Sequence, residues 1–305
     1  AKLMRTVKGK TTWIDILKPN EADMSAIKKL HNFHPILLDE LLHPSPRIRV
    51  EQFESYLFIV YHFPEYNPEL KTSERREIDF LITKDKIITI HYDNIQELNT
   101  LFDQLSNDEK ERKRALSGDS LLATYQIFER AIAFSLRQLR HVEERVSFVG
   151  QEIFNTRGTE LLRKISFIKR DILDYRLITR PQEKFFLNLH DIGIKFWGTK
   201  SKVYLSDLVN DNLPVHHNLE NYYQTIESLE TTNAQLLDAE TNTVIRKFTV
   251  GAFLSSLPLY FVFFNEFSYI HDILSSTPTR FWTSFIAVHS LVFILWLIFK
   301  KKRIM

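Results

Sequence analysis

The sequence predicts an α+β protein with a cytoplasmic α/β domain and a long antiparallel helix pair. A long stalk helix then continues into the first of two C-terminal transmembrane helices. Three observations predict this. Two long apolar runs close the chain, β-branched and aromatic stretches are confined to its first third, and helical spacing fills the interval between them. The expected segments are 1–106 for the α/β domain, 107–200 for the helix pair, 201–247 for the stalk and 248–305 for the membrane part.

In the first segment, Thr11 to Leu17 has a short strand pattern. Pro19-Asn20 with Glu21 and Asp23 opens a helix with acids in its first turn, where the helix dipole favours them. A second short helix is expected over Pro35 to Leu42. Tyr56 to Phe63 (YLFIVYHF), Ile78 to Ile82 and Ile87 to His91 read as strands, the last two joined by the turn Thr83 to Lys86. From Asn94 the strand patterns stop. Leu121 to Phe154 and Leu161 to Leu187 carry apolar residues at three- and four-residue steps and make two long helices, with a break at Gly158. The charged run Asp108 to Arg114 is expected as a solvated loop or helix end. Gly193 to Gly198 marks another break, and Pro214 is expected to open the stalk helix, which meets no further Gly or Pro until Gly251.

The membrane part is the run Phe248 to Phe264 followed by Phe281 to Phe299, the second being 19 residues without a formal charge. At 1.5 Å per residue, about 20 residues cross the ~30 Å hydrocarbon layer. Trp282 and Trp296 stand near the ends of the second run. Arg246, Lys247, Lys300, Lys301, Lys302 and Arg303 flank one side of the pair against Arg280 alone in the loop, so both termini are expected in the cytoplasm. The remainder of the 305 residues must be water-soluble with its own core. A net charge of +2, supplied by the membrane-flanking bases, gives no reason to expect a nucleic-acid partner. Zero cysteines exclude disulfides and thiolate chemistry, and Ala1 to Trp13 has no apolar core of a cleavable signal peptide.

Stepping by seven along the stalk gives Asn221, Ser228, Gln235, Asn242, Thr249 and Ser256, all polar and none charged, running from the cytoplasmic part into the bilayer. Glu220, Glu227, Glu230 and Glu240 fall off that line. Intramembrane polar groups need a cavity or partners, so the line fits copies of one helix around a wet axis. Chance, with small polar residues easing helix packing, is the competing account.

Taken with its order of segments, the chain resembles the CorA-type family of divalent cation transporters over nearly its whole length. The resemblance is carried by Trp13 to Leu17 (WIDIL), His34-Pro35 with Leu38-Asp39, Val50-Glu51 before Tyr56-Leu57-Phe58, and Ile87 to His91 (IITIH). Thr241-Asn242, Leu257-Pro258-Leu259 and the basic tail complete it. It implies a homopentameric channel in the lipid bilayer of a cytoplasmic (inner) membrane, with a pore-lining stalk and the second span outside it. The transported ion would be magnesium, or cobalt, nickel or zinc, with no cofactor required. One departure stands out. The family's Gly-Met-Asn signature at the outer end of the first span is missing; Phe263-Phe264-Asn265 keeps only the asparagine, and ungapped alignment from Pro258 places the signature on Phe267-Ser268-Tyr269. A zinc transporter of the same fold, like the ZntB branch, and a non-conducting membrane-anchored oligomer therefore stand as alternatives.

A low-charge ring of amide and hydroxyl oxygens can recognise a hydrated magnesium ion without holding it. Asn265, Ser256, Thr249 and Asn242 suit that task, Tyr260 continues the lining, and Ile245 with Phe248 or Leu257 are candidate dewetting constrictions. At the entrance, Asn265, Glu266, Ser268, Tyr269 and Asp272 are the filter candidates, the acids concentrating cations. His271 beside Asp272, and His289 inside the second span, are weaker metal candidates than packing or loop residues. The resemblance also implies cytoplasmic acids that bind the ion at subunit boundaries; Asp93 and Asp207 are the candidates. No Walker A run, dinucleotide fingerprint, HExxH or nucleophile elbow is present, so no enzyme is expected.

Overall fold

The computed structural model describes residues 4–155, 159–265, 270, 273 and 277–301. The chain divides into two compact units, Ala1–Glu230 and Thr231–Met305. The first unit is built on a six-stranded sheet in the order β1-β2-β6-β5-β4-β3, with β1 Met4–Lys8, β2 Thr12–Leu17, β3 Arg49–Gln52, β4 Leu57–Asn67, β5 Thr72–Ile82 and β6 Lys86–His91. Every pair is antiparallel except β2 with β6, which run parallel.

Side chains alternate across a strand, so each apolar run feeds two faces. Ile14, Ile16, Phe58, Val60, Leu81, Ile88 and Ile90 point to one face and form a core with Met24 and Ile27 of α1 (Glu21–Leu30) and Leu37 and Leu38 of α2 (Pro35–Glu40). The alternate residues, Tyr61 and Phe80 among them, face the long helices: Phe128 lies 5.2 Å from Tyr61 and 5.0 Å from Phe80, centroid to centroid. Covered on both faces, β4 is buried from Leu57 to Pro64, which is why its sequence is a continuous apolar run rather than an alternation. Asn20 caps α1, accepting from the amides of Ala22 and Asp23 while the Asp23 carboxylate accepts from the Asn20 amide.

Helices α3 (Gln96–Asn107) and α4 (Glu109–Leu116) follow the sheet. The charged run expected as a loop or helix end is α4 itself, because the Asp108 side chain caps it by accepting from the amides of Lys110 and Glu111. Then come α5 (Leu121–Glu152) and α6 (Thr159–Trp197). They are antiparallel, as expected: Phe128 meets Phe186, the Tyr175 hydroxyl donates to the Ser135 carbonyl, and Lys164 lies over Phe148. The expected break at Gly158 lies outside the described residues.

Three sequence expectations are corrected here. Helix α6 does not stop at Leu187 but runs through Pro181 to Trp197, since buried Phe185, Phe186 and Leu189 hold it against the rest of the unit. Gly193 is inside that helix and makes room for Leu205, whose Cδ1 would lie 2.6 Å from an added Cβ. The break falls on Gly198 alone, at φ 89, a conformation that favours glycine. Finally, Pro214 does not open the stalk. After a short 3-10 turn, Thr199–Ser201, helix α7 spans Lys202–Asn265, and burial of Leu205, Leu208, Val215 and Leu219 keeps it helical across the proline. Strand β1, which the sequence reading did not anticipate, pairs with β2 at the sheet edge.

In the second unit, the end of α7 is followed by α8 (Pro278–Lys301), whose mean hydropathy of 2.0 over 18 residues makes it long and apolar enough to cross a bilayer. Among the described residues it is the one helix that meets that measure.

Candidate functional site

Helix α7 has a packed face and an open face. Leu205, Leu208, Val215, Leu219 and Ile226 are buried within the first unit. At 100° per residue, Asn221 and Ser228, each two positions beyond a buried leucine or isoleucine, stand about 200° round the helix from that face. Both are exposed, as are Gln235, Asn242 and Thr249, while Ser256 is half-buried. The uncharged polar line of the sequence is thus an open stripe on one protomer. Ile245, Phe248 and Tyr260 are also exposed.

The acids beside the line are turned to other work. Glu220 pairs with Arg176 at 3.1 Å, and Lys169 of α6 pairs with Glu230 at 2.5 Å and Glu227 at 3.9 Å. The Glu230 carboxylate outweighs burial and raises the Lys169 ammonium above its ordinary value. Hydroxyls on the line point their chemistry one way. Thr249 Oγ1 donates to the Ile245 carbonyl at 2.8 Å and Ser256 Oγ to the Phe253 carbonyl at 2.7 Å. With the proton directed into the helix backbone, the outward lone pairs can only accept, which suits the water shell of a cation.

At the head of α7, Asp207 accepts from the Tyr125 hydroxyl at 2.6 Å. One turn on, Asp211 has its carboxyl raised by burial and by the Asp207 charge. Asp93 instead receives Arg76 Nη1 at 3.2 Å, in a guanidinium shared with Glu65 and Glu74, and its carbonyl faces His91 Nδ1 at 2.7 Å. No group of three or more His, Cys, Asp or Glu among the described residues is placed to hold a metal ion, so Asp93 and Asp207 do not form a site within one protomer. Of the entrance residues, Glu266, Ser268, Tyr269 and Asp272 lie outside the described residues, as does His271, and Asn265 is described only as the last residue of α7. Arg246, Lys247, Lys300 and Lys301 are exposed, and Lys300 sits 5.0 Å over the Trp296 ring; Lys302 and Arg303 lie outside the described residues.

The sequence reading missed a buried polar network in the sheet. Asp15, 1% exposed, accepts from Arg5 Nε at 2.8 Å and from the Thr89 hydroxyl, which in turn accepts from Trp13 Nε1 at 2.9 Å. Burial alone would raise the Asp15 carboxyl, but His91, Thr89 and Arg5 outweigh it and hold it low. The available signal was an aspartate and a threonine at strand positions flanked by isoleucines, Ile14-Asp15-Ile16 and Ile88-Thr89-Ile90, where only a paired polar group is tolerated.

With this geometry in place, comparisons with known proteins are specific. The family described as CorA-like Mg2+ transporter protein matches residues 8–301. The cobalt/magnesium transport protein CorA of Thermotoga maritima is 20% identical over 255 residues, covering 82% of this chain and 71% of that protein. The complete structure of the CorA magnesium transporter from Methanocaldococcus jannaschii superposes with a TM-score of 0.80 at 18% identity, covering 95% of this chain and 90% of that one. The ZntB cytoplasmic domain from Vibrio parahaemolyticus shares the fold at a TM-score of 0.61 and 11% identity, over 76% of this chain and 90% of that domain. On the match to nearly its whole length, the chain belongs to the CorA-like Mg2+ transporter family.

Proposed function

We propose that the protein is the protomer of a homopentameric channel that conducts hydrated divalent cations, magnesium first, into the cytoplasm. The observation that carries this reading is the open, uncharged polar stripe from Asn221 to Ser256. Copies of α7 gathered around one axis would bring that stripe around water, and α8 would face lipid outside them. Both termini and the first unit would then lie in the cytoplasm of a cell with an inner membrane, with segment boundaries near 106, 200 and 247. Family members are ion transporters and not enzymes, and a negative interior favours cation entry by about 2.3 kcal/mol per charge per 100 mV without an energy source.

The missing Gly-Met-Asn signature favours a second reading, transport of zinc or another transition metal through the same scaffold. Uptake of magnesium, cobalt, nickel and zinc by protein reconstituted into liposomes tests both. Ser256→Leu places a ring of leucines on the axis and is expected to lower uptake at least about tenfold, a barrier of ~1.4 kcal/mol or more. Unchanged uptake in Ser256→Leu would place the pathway elsewhere, and no uptake of any metal by the unaltered protein would leave a non-conducting oligomer.

A further inference from the structure

The loop between α2 and β3, residues 41–48, is tied to the sheet by ionisable side chains. Pro44 and Pro46 have no amide proton, so the loop has few donors of its own. The Ser45 amide donates to Glu77 Oε1 of β5 at 2.7 Å, His62 Nε2 of β4 lies 3.1 Å from the Ser45 carbonyl, and Arg75 of β5 donates to the Pro46 carbonyl at 3.4 Å. The Leu41 and His43 carbonyls meet the hydroxyl of Tyr92, the residue after β6, at 3.2 and 3.0 Å.

That hydroxyl has one proton and three acceptors within 3.2 Å, the third being Asp79 Oδ2 of β5 at 2.8 Å. One strong bond leaves the other acceptors without a donor. His62 Nε2 repeats the arrangement between the Ser45 carbonyl and Glu77 Oε2, which lies 3.0 Å away, and two acceptors make that nitrogen the donor. Protons are scarce in this cluster, and one group has room for another. Asp79 Oδ1, in a side chain 2% exposed, has no hydrogen-bond partner among the described residues.

The surrounding charges favour that extra proton. Glu77 stands beside Asp79 on β5, Glu40 comes from α2 and His62 from β4, while Arg49 of β3 is shared between Glu40 at 2.5 Å and Glu51 at 2.9 Å. Burial, followed by the Glu77 charge, raises the Asp79 carboxyl above 3.8. Tyr92 keeps its own proton, because burial and the Asp79 charge push the phenol up.

The state of Asp79 then decides where the Tyr92 proton points. A neutral carboxyl can donate to the Tyr92 oxygen, which leaves the phenolic proton for a loop carbonyl. An ionised carboxyl only accepts, and its charge-assisted bond outcompetes a neutral carbonyl. The Leu41 and His43 carbonyls are left facing a lone pair.

We propose that Asp79, Tyr92 and the α2–β3 loop form a proton-operated latch, closed on the sheet when the carboxyl is neutral and released when it is ionised. Pro46, Arg47 and Ile48 of this loop line an open groove of about 660 Å³ together with Leu177, Ile178 and Pro181 of α6. Release reshapes that groove, and the latch does not depend on ion conduction.

The test is amide hydrogen exchange of the full-length protein in detergent, read by mass spectrometry on peptides covering residues 41–48 and, for reference, β4. Each rate is divided by the intrinsic rate at that pH. In the unaltered protein, loop protection is expected to fall about three- to tenfold as pH rises from 3.8 through the raised value of Asp79. Asp79→Asn carries no charge at any pH, so its loop should hold its protection over the same range. Tyr92→Phe removes the shared donor, and its loop should exchange about three- to tenfold faster at the acid end and lose the pH dependence. Protection of β4 in both variants reports that the sheet is folded. The proposal is overturned if loop protection in the unaltered protein is flat with pH, if it falls as steeply in Asp79→Asn, or if Tyr92→Phe keeps full loop protection at the acid end.

Discussion

Asp79 shows what a single buried carboxyl can do to this protein. It is 2% exposed on β5, shares a face with Glu77, and accepts from the Tyr92 hydroxyl at 2.8 Å, while its Oδ1 has no hydrogen-bond partner among the described residues. Burial, then the Glu77 charge, push its carboxyl well above the ordinary value of 3.8, with Glu40 adding to the push and the Tyr92 hydrogen bond opposing it. Arg49 of β3 and His62 of β4, whose Nε2 is 3.0 Å from Glu77, also face this group of carboxylates. The sign follows from linkage. A carboxyl raised on folding contributes stability that is fully present below 3.8 and is lost as pH rises through the raised value. Each tenfold difference in proton affinity between the folded and unfolded chain is worth about 1.4 kcal/mol. Asp79→Asn keeps an acceptor for Tyr92 without the charge. The melting temperature of the purified protein should therefore fall less steeply for the variant as pH rises from 3.8 through the raised value; parallel curves would show that Asp79 does not carry the dependence. Nothing in Asp79's own stretch of sequence announced this. An aspartate after Ile78 reads as one face of an alternating strand, and only the packing of α1 and α2 on one side of the sheet and of α5 on the other shows that both faces are covered.

At the scale of elements, local chemistry decided what could be read. The Asn20 cap, the apolar run of β4 and the long spacing of α5 were legible because propensity and packing agree there. Strand β1 was not, since an edge strand with Arg5 and Lys8 looks like a basic tail until it pairs with β2. Its hairpin turn is tightly fitted: an added Cβ on Gly9 would lie 2.5 Å from Leu116 Cβ and 2.9 Å from the Leu116 carbonyl oxygen. Neither atom is the end of a flexible side chain, so Gly9→Ala is expected to cost about 1–3 kcal/mol. Thermal denaturation would check it, and an unchanged midpoint would mean the hairpin relaxes freely away from α4. Pro214 and Gly193 misled for the converse reason, because burial along α6 and α7 overrides the breaker tendency of either residue. The heptad line on α7 carries its own structural demand. A straight helix drifts ~20° per heptad against a seven-residue repeat, about 100° over the five heptads from Asn221 to Ser256. The line can face one axis throughout only if the helices supercoil.

On the scale of the whole molecule, the proposed pathway would be a property of several copies and not of any one. The stripe was visible in the sequence as a period, and the fold places its first residues, Asn221 and Ser228, opposite the packed face of α7. The candidate ion-binding acids, Asp93 and Asp207, had no motif to anchor them, and they find different partners within a protomer. The account's central claim is that the stripe encloses water. The protein has no native cysteine, so single cysteines can be placed along α7 without background. Cysteines at Gln235, Asn242, Thr249 and Ser256 should each let a charged, water-soluble thiol reagent block cation uptake in liposomes. A cysteine at Val244, exposed in the protomer and about 200° round the helix from Asn242, should leave uptake intact. Block at Val244 with sparing of the stripe, or block without a seven-residue period, would contradict the account.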